Sequence, residues 1–439
     1  MSINFKMKPT EYLSELGIST ETLELTAPQV GKTSTGAFIS TLTGASTNDT
    51  IYVAGQYKPV GQTNPSNFAL SAFNNTGAVD NAFGGDGAVV TSFSGSPSEF
   101  SFGSAMTVDE NTGRIYLSGD TSTSPPDGSM YTQGVLNYGT ICYKLDGSLD
   151  STWGTGGKVV TNISTDKTDC RANTVYDSKV YVGGGEQKDG SIGLVRYNFD
   201  GSLDTSFGTG GIVKTLVNPG NRIAIYYIYV DELFEKIYAL GSQLNTTIFI
   251  ARYEMNGDLD ITFGTGGIVT YVIPGTSSIF FLKVEFDDIN RKFVMGYSSG
   301  STNKLIRINT DGSLDTTFNN VGYVTYSQLE SASALKIDTI NNKIYVAGTT
   351  PSVQDLSIGR FNYDGTLDTS FPGNGFYLID TPNYFLEFAS VIALINNNIY
   401  VGGNGIVSGG PFIREFLMIK LHLFTETTYK APQLAFRKE

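Results

Sequence analysis

Residues 201–211 read GSLDTSFGTGG, and residues 237–241 read IYALG. The first string is Asx/Gly turn chemistry around one aromatic side chain, and the second is a short apolar run stopped by glycine. Both recur along the chain. The apolar run starts at Ile51 (IYVAG), Ile115 (IYLSG), Val180 (VYVGG), Ile237, Lys292 (KFVMG), Ile344 (IYVAG) and Ile399 (IYVGG), at spacings of 64, 65, 57, 55, 52 and 55 residues. Between consecutive copies lies the glycine-rich string: GAVDNAFGGDG from Gly77, GSLDSTWGTGG from Gly147, the copy at Gly201, GDLDITFGTGG from Gly257, GSLDTTFNNVG from Gly312 and GTLDTSFPGNG from Gly365.

A unit of this length, with several β-rich runs, Asx/Gly turns and no helical periodicity, has the size of one four-stranded sheet. One such sheet cannot bury both faces, so neighbours must stack, and radial closure removes the ends of the stack. The sequence therefore predicts an all-β fold: a seven-bladed β-propeller of four-stranded antiparallel blades with a short N-terminal arm. Within a unit, Ile223 to Val230 reads as strand A, the IYVAG-type run as B, Ile248 to Tyr253 as C and Gly267 to Tyr271 as D. The seventh unit has A, B and C runs but no glycine-rich string and no D run after it. Thr22 to Thr26 precedes the first A run and is expected to close blade seven, with Thr427 to Lys430 as the competitor. The expected division is an arm over 1–21, the propeller over 22–424 and a tail over 425–439.

The pattern DGSLDxxFGxGG, followed by a short strand and then by IYVAG, resembles the delta-60 repeat family of bacterial and viral β-propellers over about residues 27–424. The resemblance implies the propeller architecture and an association with surface, secreted or virion proteins. It carries over no catalytic residue. The GAVD of the first copy and the missing seventh copy depart from its pattern, at the place where the ring must close.

Composition narrows the function. With 29 Lys and Arg against 42 Asp and Glu, the net charge of −13 disfavours nucleic acid and anionic lipid as partners. One histidine and two cysteines leave no His-based or Cys-rich metal cluster and no disulfide framework. No stretch approaches the apolar length of a membrane-crossing helix, and the N-terminus lacks an uninterrupted apolar signal core. No cofactor is expected.

The repeated polar residues read as structural. Phe83, Trp153, Phe207, Phe263, Phe318 and Phe371 share one repeat position, and an exchange of Phe for Trp there suits a packing anchor. Asp80, Asp150, Asp204, Asp260, Asp315 and Asp368 are spaced one per repeat, too far apart to converge on one Ca²⁺, and each is expected to tie its own turn. Arg196, Arg252, Arg307 and Arg360 share a position on strand C, with Lys420 near the equivalent place in the last unit, and are expected to pair with those aspartates. Cys142 and Cys170 fall where a disulfide is conceivable. His422, at the end of an apolar run, reads as a packed or edge residue.

Function should then lie where the repeats differ. The B-to-C connections expand in units one (Gln56 to Asn67), two (Asp120 to Tyr138) and seven (Asn404 to Pro411), which become neighbours in a closed ring. Tyr57, Tyr131, Tyr138 and Phe412 are the candidate interaction surface, for a protein or glycan. Pro9 to Leu16, ahead of Gly17, reads as a short helix whose Tyr12, Leu13 and Leu16 form a candidate docking face. The functional expectation is a non-enzymatic structural or adhesion protein of a large assembly, foremost a phage virion, with other subunits as partners. The alternative is an extracellular or bacterial-surface module that recognises glycan or protein. A glycan-active enzyme ranks third.

Overall fold

The computed structural model describes residues 16–30, 37–46, 50–59, 67–95, 100–122, 136–164, 167–186, 188–243, 246–350, 356–379, 384–395, 398–407 and 414–429. They form seven four-stranded antiparallel sheets. In each of the first six, four consecutive strands lie in chain order; blade four is Ile223–Asp231, Lys236–Gln243, Thr247–Glu254 and Ile268–Tyr271. The four strands read from the sequence of that unit fall on these, with boundaries shifted by one or two residues. A strands of consecutive blades lie against one another all the way round, including those of blades seven and one, so the ring is closed and the A strands line its channel.

Closure is made by the N-terminus. Leu16–Val30 is the fourth strand of blade seven and runs antiparallel to Arg414–Tyr429, pairing Thr22 with Phe424 and Leu25 with Leu421. The run from Thr22 to Thr26 lies inside this strand, as expected. The competitor does not supply the D strand: Thr427 belongs to the C strand itself and pairs with Ser19. The strand begins at Leu16, so Leu16 and Gly17 are extended rather than the end of a helix. Pairing with Tyr429 satisfies backbone groups that a two-turn helix would leave half exposed. Tyr12 and Leu13 lie outside the described residues. The C strand likewise continues to Tyr429, into the segment read as a tail.

Apolar packing follows the ring. Among the described residues, seven buried clusters each span one blade-to-blade interface. In one of them Phe207 and Ala172 of blade three meet Ile228, Ile237 and Phe249 of blade four. Burial between sheets, rather than within one, is what makes a single blade unstable and the ring cohesive.

The glycine-rich string latches each blade to the next. Phe83, Trp153, Phe207, Phe263, Phe318 and Phe371 are all at most 2% exposed, and each such ring contributes about 2 to 3 kcal/mol by burial. The glycine that opens the following copy lies over this ring: at Gly257, φ is 92°, and an added Cβ would approach Phe207 to 3.0 Å. Backbone bonds cross the same seams, with the amides of Gly84, Gly154 and Gly208 donating to the carbonyls of Asp146, Asp200 and Asn256 at 2.7–2.8 Å. At the seam of blades seven and one, where no such string precedes, Gly77 packs on Lys420 and Tyr400 instead, and the Tyr400 hydroxyl donates to the Asn75 carbonyl.

Candidate functional site at the channel mouth

The motif aspartates hold both their own turn and a cation. Asp204 accepts from the Ser206 amide and hydroxyl at 3.2 and 2.7 Å, while its other oxygen meets Arg196 Nε at 2.9 Å and Lys179 Nζ at 3.0 Å. The arrangement repeats in Arg252–Asp260, Arg307–Asp315 and Arg360–Asp368, each at 2.8 Å and each within one blade. The guanidinium also reaches the next blade: Arg196 and Arg307 donate to the carbonyls of Met255 and Tyr363. Below, each arginine covers the motif ring, with Arg252 Cζ 4.4 Å from the Phe263 centroid. Burial pushes these carboxyls up, but the hydroxyl, amide and cation contacts outweigh it and hold Asp260, Asp315 and Asp368 at about 2.

Of the four residues read as an interaction surface, Tyr131 and Phe412 lie outside the described residues. Tyr57, half-buried at the end of strand B, packs against the cluster between blades seven and one. Tyr138 is a correction. It is fully buried between blades two and three, with its hydroxyl donating to the Gly193 carbonyl at 3.3 Å, and a ring held there has no face to offer a partner. The alternation along strand C points it inward.

Charges that do not follow the repeat gather instead on the face where A strands begin. Asp120, at the end of strand B of blade two, is 1% exposed and takes the Cys170 amide on both oxygens, at 3.1 and 3.3 Å. Asp169, 2% exposed, accepts from Arg171 Nε and, at 2.9 Å, from Arg222 of the following blade. Glu186, also buried, sits 2.6 Å from Lys214 and accepts from Ser164 at 3.1 Å. Burial and the neighbouring Asp169 push Asp120 well above the usual carboxylate range. Asp169 is held low, because Arg171 and Arg222 outweigh its own burial. In the channel wall Arg171 Cζ lies 5.8 Å from the Tyr226 centroid, and burial together with the Arg171 charge lowers Lys283 to about 8.

These groups escaped the repeat-based reading because it searched for residues at common positions. Their signal is the opposite: Asp169, Arg171 and Lys283 are A-strand charges at positions where the other blades carry no charge. Among the described residues no three His, Cys, Asp or Glu side chains converge as metal ligands. Cys142 and Cys170 are free thiols within one buried cluster. His422 Nδ1 lies 2.6 Å from Asn398 Oδ1, and the residue is paired on its other side with Glu24, so it sits half-buried on an interior strand rather than at an edge.

Blades three, five and six carry a known β-propeller signature. The matches, over residues 177–207, 292–318 and 341–371, are to a family described as a domain of unknown function (DUF5122) beta-propeller. No curated protein matches the chain. Among solved structures, Raptor from Chaetomium thermophilum is 10% identical with a TM-score of 0.51; the alignment covers 91% of this chain but only 29% of Raptor. The β-propeller domain of Cps50 (Swd1) from Myceliophteria thermophila is 8% identical over 89% of this chain and 99% of its own, with a TM-score of 0.47. The polysaccharide lyase Uly1 is 10% identical over 93% and 99%, at 0.46. These likenesses concern the fold alone.

Proposed function

We propose that this propeller is a non-enzymatic binding platform within a larger protein assembly, with a phage virion as its setting. The observation that carries the reading is the fate of the repeated polar side chains. The motif aspartates of blades two to six, and the cations that meet them, are engaged in turns and blade-to-blade latches, so the chemistry common to the repeats serves cohesion. Contact with the outside then falls to what does not repeat: the polar sector at the A-strand face and the connections around it.

The test has two arms. Recovery of the tagged full-length chain from its native source, followed by sedimentation, is expected to give stoichiometric complexes with other proteins; a lone monomer contradicts the assembly. Incubation with neutral and acidic polysaccharides, with reducing ends and product masses followed, is expected to give no products; depolymerisation contradicts the non-enzymatic reading.

A further inference from the structure

The hairpins that join strands A and B are built alike but tipped differently. In blades two, four and five an aspartate at the end of strand A accepts the backbone amide two residues on: Asp109 from Asn111 at 3.1 Å, Asp231 from Leu233 at 3.1 Å and Asp287 from Ile289 at 2.9 Å. Asp338 of blade six closes its turn through the Asn341 amide, at 2.9 Å. A carboxylate that ties the turn in this way leaves the residue two places on at the tip, with nothing to pack against. Blade two carries Asn111 there, the polar side chain such a tip favours. Blades four, five and six carry Leu233, Ile289 and Ile340, exposed to 66, 71 and 88%, and Phe234 beside Leu233 is 57% exposed.

Contacts between the turns set these tips side by side. Arg291, in the turn of blade five, bonds to Asp231 of blade four and holds its Cζ 5.1 Å from the Phe234 centroid and 5.4 Å from that of Phe286. The Tyr229 hydroxyl of blade four donates to Asp288 at 3.2 Å. Tyr363 of blade six donates its hydroxyl to Asp287 and, at 3.0 Å, its amide to the Asn342 carbonyl in the turn of its own blade. The exposed apolar side chains therefore form one row along three consecutive blades.

The row is set in negative charge. The cations of these turns are engaged within the protein: Lys236 with Asp260, Arg291 with Asp231, Lys292 with Asp315 and Lys343 with Asp368. Among the described residues no cation pairs with Glu232, Glu235 or Asp288. A groove of about 730 Å³ continues from Glu232 across the hairpins of blades two and three, lined by Asp109, Glu110, Tyr176 and Asp177. Burial, and then the charges of Glu232, Asp177 and Glu235, push the Tyr176 hydroxyl up, so these acids act on one point of the groove.

We propose that this rim is a docking surface for a basic, apolar segment of a partner protein, whose aliphatic side chains cover Leu233, Ile289 and Ile340 and whose lysines or arginines meet Glu232, Glu235, Asp288 and the groove. Charge complementarity selects the occupant: the same acids repel phosphate backbones, anionic lipid and the matching rim of a second copy. A free cation has no use for the apolar row, whereas a protein segment gains by covering it. The inference rests on the platform reading for the existence of a partner and adds a face and a partner chemistry to it.

Fluorescence anisotropy of a short labelled peptide of alternating lysine and leucine, titrated with the full chain at low and at physiological salt, tests it beside two control peptides, one with glutamate for lysine and one with serine for leucine. The first is expected to bind saturably and the controls at least about tenfold more weakly. Ile289→Ser with Ile340→Ser should weaken binding about tenfold, and Glu232→Gln with Asp288→Asn several-fold with a shallower salt dependence. Leu216→Ser and Val272→Ser, comparably exposed where D strands end, should leave it unchanged. Absence of saturable binding, equal binding of the lysine–serine peptide, or binding undiminished by the paired isoleucine substitutions overturns the docking surface, and does so even where the chain is recovered in an assembly. Binding with the expected losses by a chain recovered only as a monomer upholds the surface and contradicts the assembly. A dimer of the full chain that the same substitutions dissolve assigns the rim to a second copy and overturns the proposal.

Discussion

Arg114 Nε and Asp150 Oδ2 lie 2.7 Å apart, and the arginine stands where blades three to six carry a lysine that meets the motif aspartate. In blades three to six the motif aspartate meets an arginine from strand C and a lysine that precedes the B run. Blade two has Cys142 at the strand C position, and the lysine position carries Arg114, which reaches Asp150, Thr152 and the Phe199 carbonyl of blade three. One side chain has taken over the work of two. Arg114→Ala, which strands a buried carboxylate, should cost about 3 to 5 kcal/mol in denaturant unfolding. The pair Arg114→Lys with Cys142→Arg restores the arrangement of blade three and should lie within about 1 kcal/mol of the parent.

Acid should loosen the ring at a defined pH. Asp260, Asp315 and Asp368 are held at about 2 in the folded chain, below the ordinary 3.8. The unfolded chain therefore binds more protons in this window, and the stabilisation is present above about pH 4 and lost as pH falls towards 2. Each contributes on the order of 2 kcal/mol at neutral pH. Urea midpoints measured from about pH 6 down to about pH 2 should fall most steeply below about pH 4. Asp315→Asn should flatten that fall.

The repeat glycine gives a matched pair of substitutions. Gly348→Ala places a Cβ 1.4 Å from the Ser331 carbonyl oxygen and should cost about 3 kcal/mol. Gly296→Ala meets a leucine methyl at 3.3 Å and the Lys304 carbonyl oxygen only at 4.0 Å, because Gly296 stands one position away from the place opposite the bulge in its A strand, and should stay within about 1 kcal/mol of the parent. Equal costs at the two sites would contradict the close approach of the Ser331 carbonyl to Gly348.

Most of the fold was legible in the sequence because period, turn chemistry and the aromatic anchor repeat with the same physical meaning in every unit. The Arg196–Asp204 type of pair was legible for the same reason. Arg114 was not, since compensation moved the cation to another strand. Tyr138 was misread because a position at the edge of an expanded connection resembles a loop, whereas strand pairing carries it into the interface of blades two and three. The register breaks of the A strands were hidden for a third reason: a bulge is a backbone event, and the residues it re-aims share no side-chain type.

Both thiols should be inert in the folded protein. Burial pushes Cys142 up to about 12 and Cys170 well above the ordinary thiol range, so neither offers thiolate at neutral pH. A disulfide-exchange reagent should titrate no thiol within minutes under native conditions and two in denaturant. Rapid native labelling would contradict the packing of blades two and three.

The central claim, a seven-bladed ring closed by pairing its first strand with its last, is tested most directly by cysteine cross-linking at the observed register. Leu23 faces Leu423 and Thr22 faces Phe424. The variants Leu23→Cys with Leu423→Cys and Thr22→Cys with Phe424→Cys sample both kinds of antiparallel pair. Oxidation of the monomer should form an intramolecular disulfide in at least one of them, with a raised unfolding midpoint. Failure of both to cross-link within one chain, or cross-linking only between chains, would contradict it.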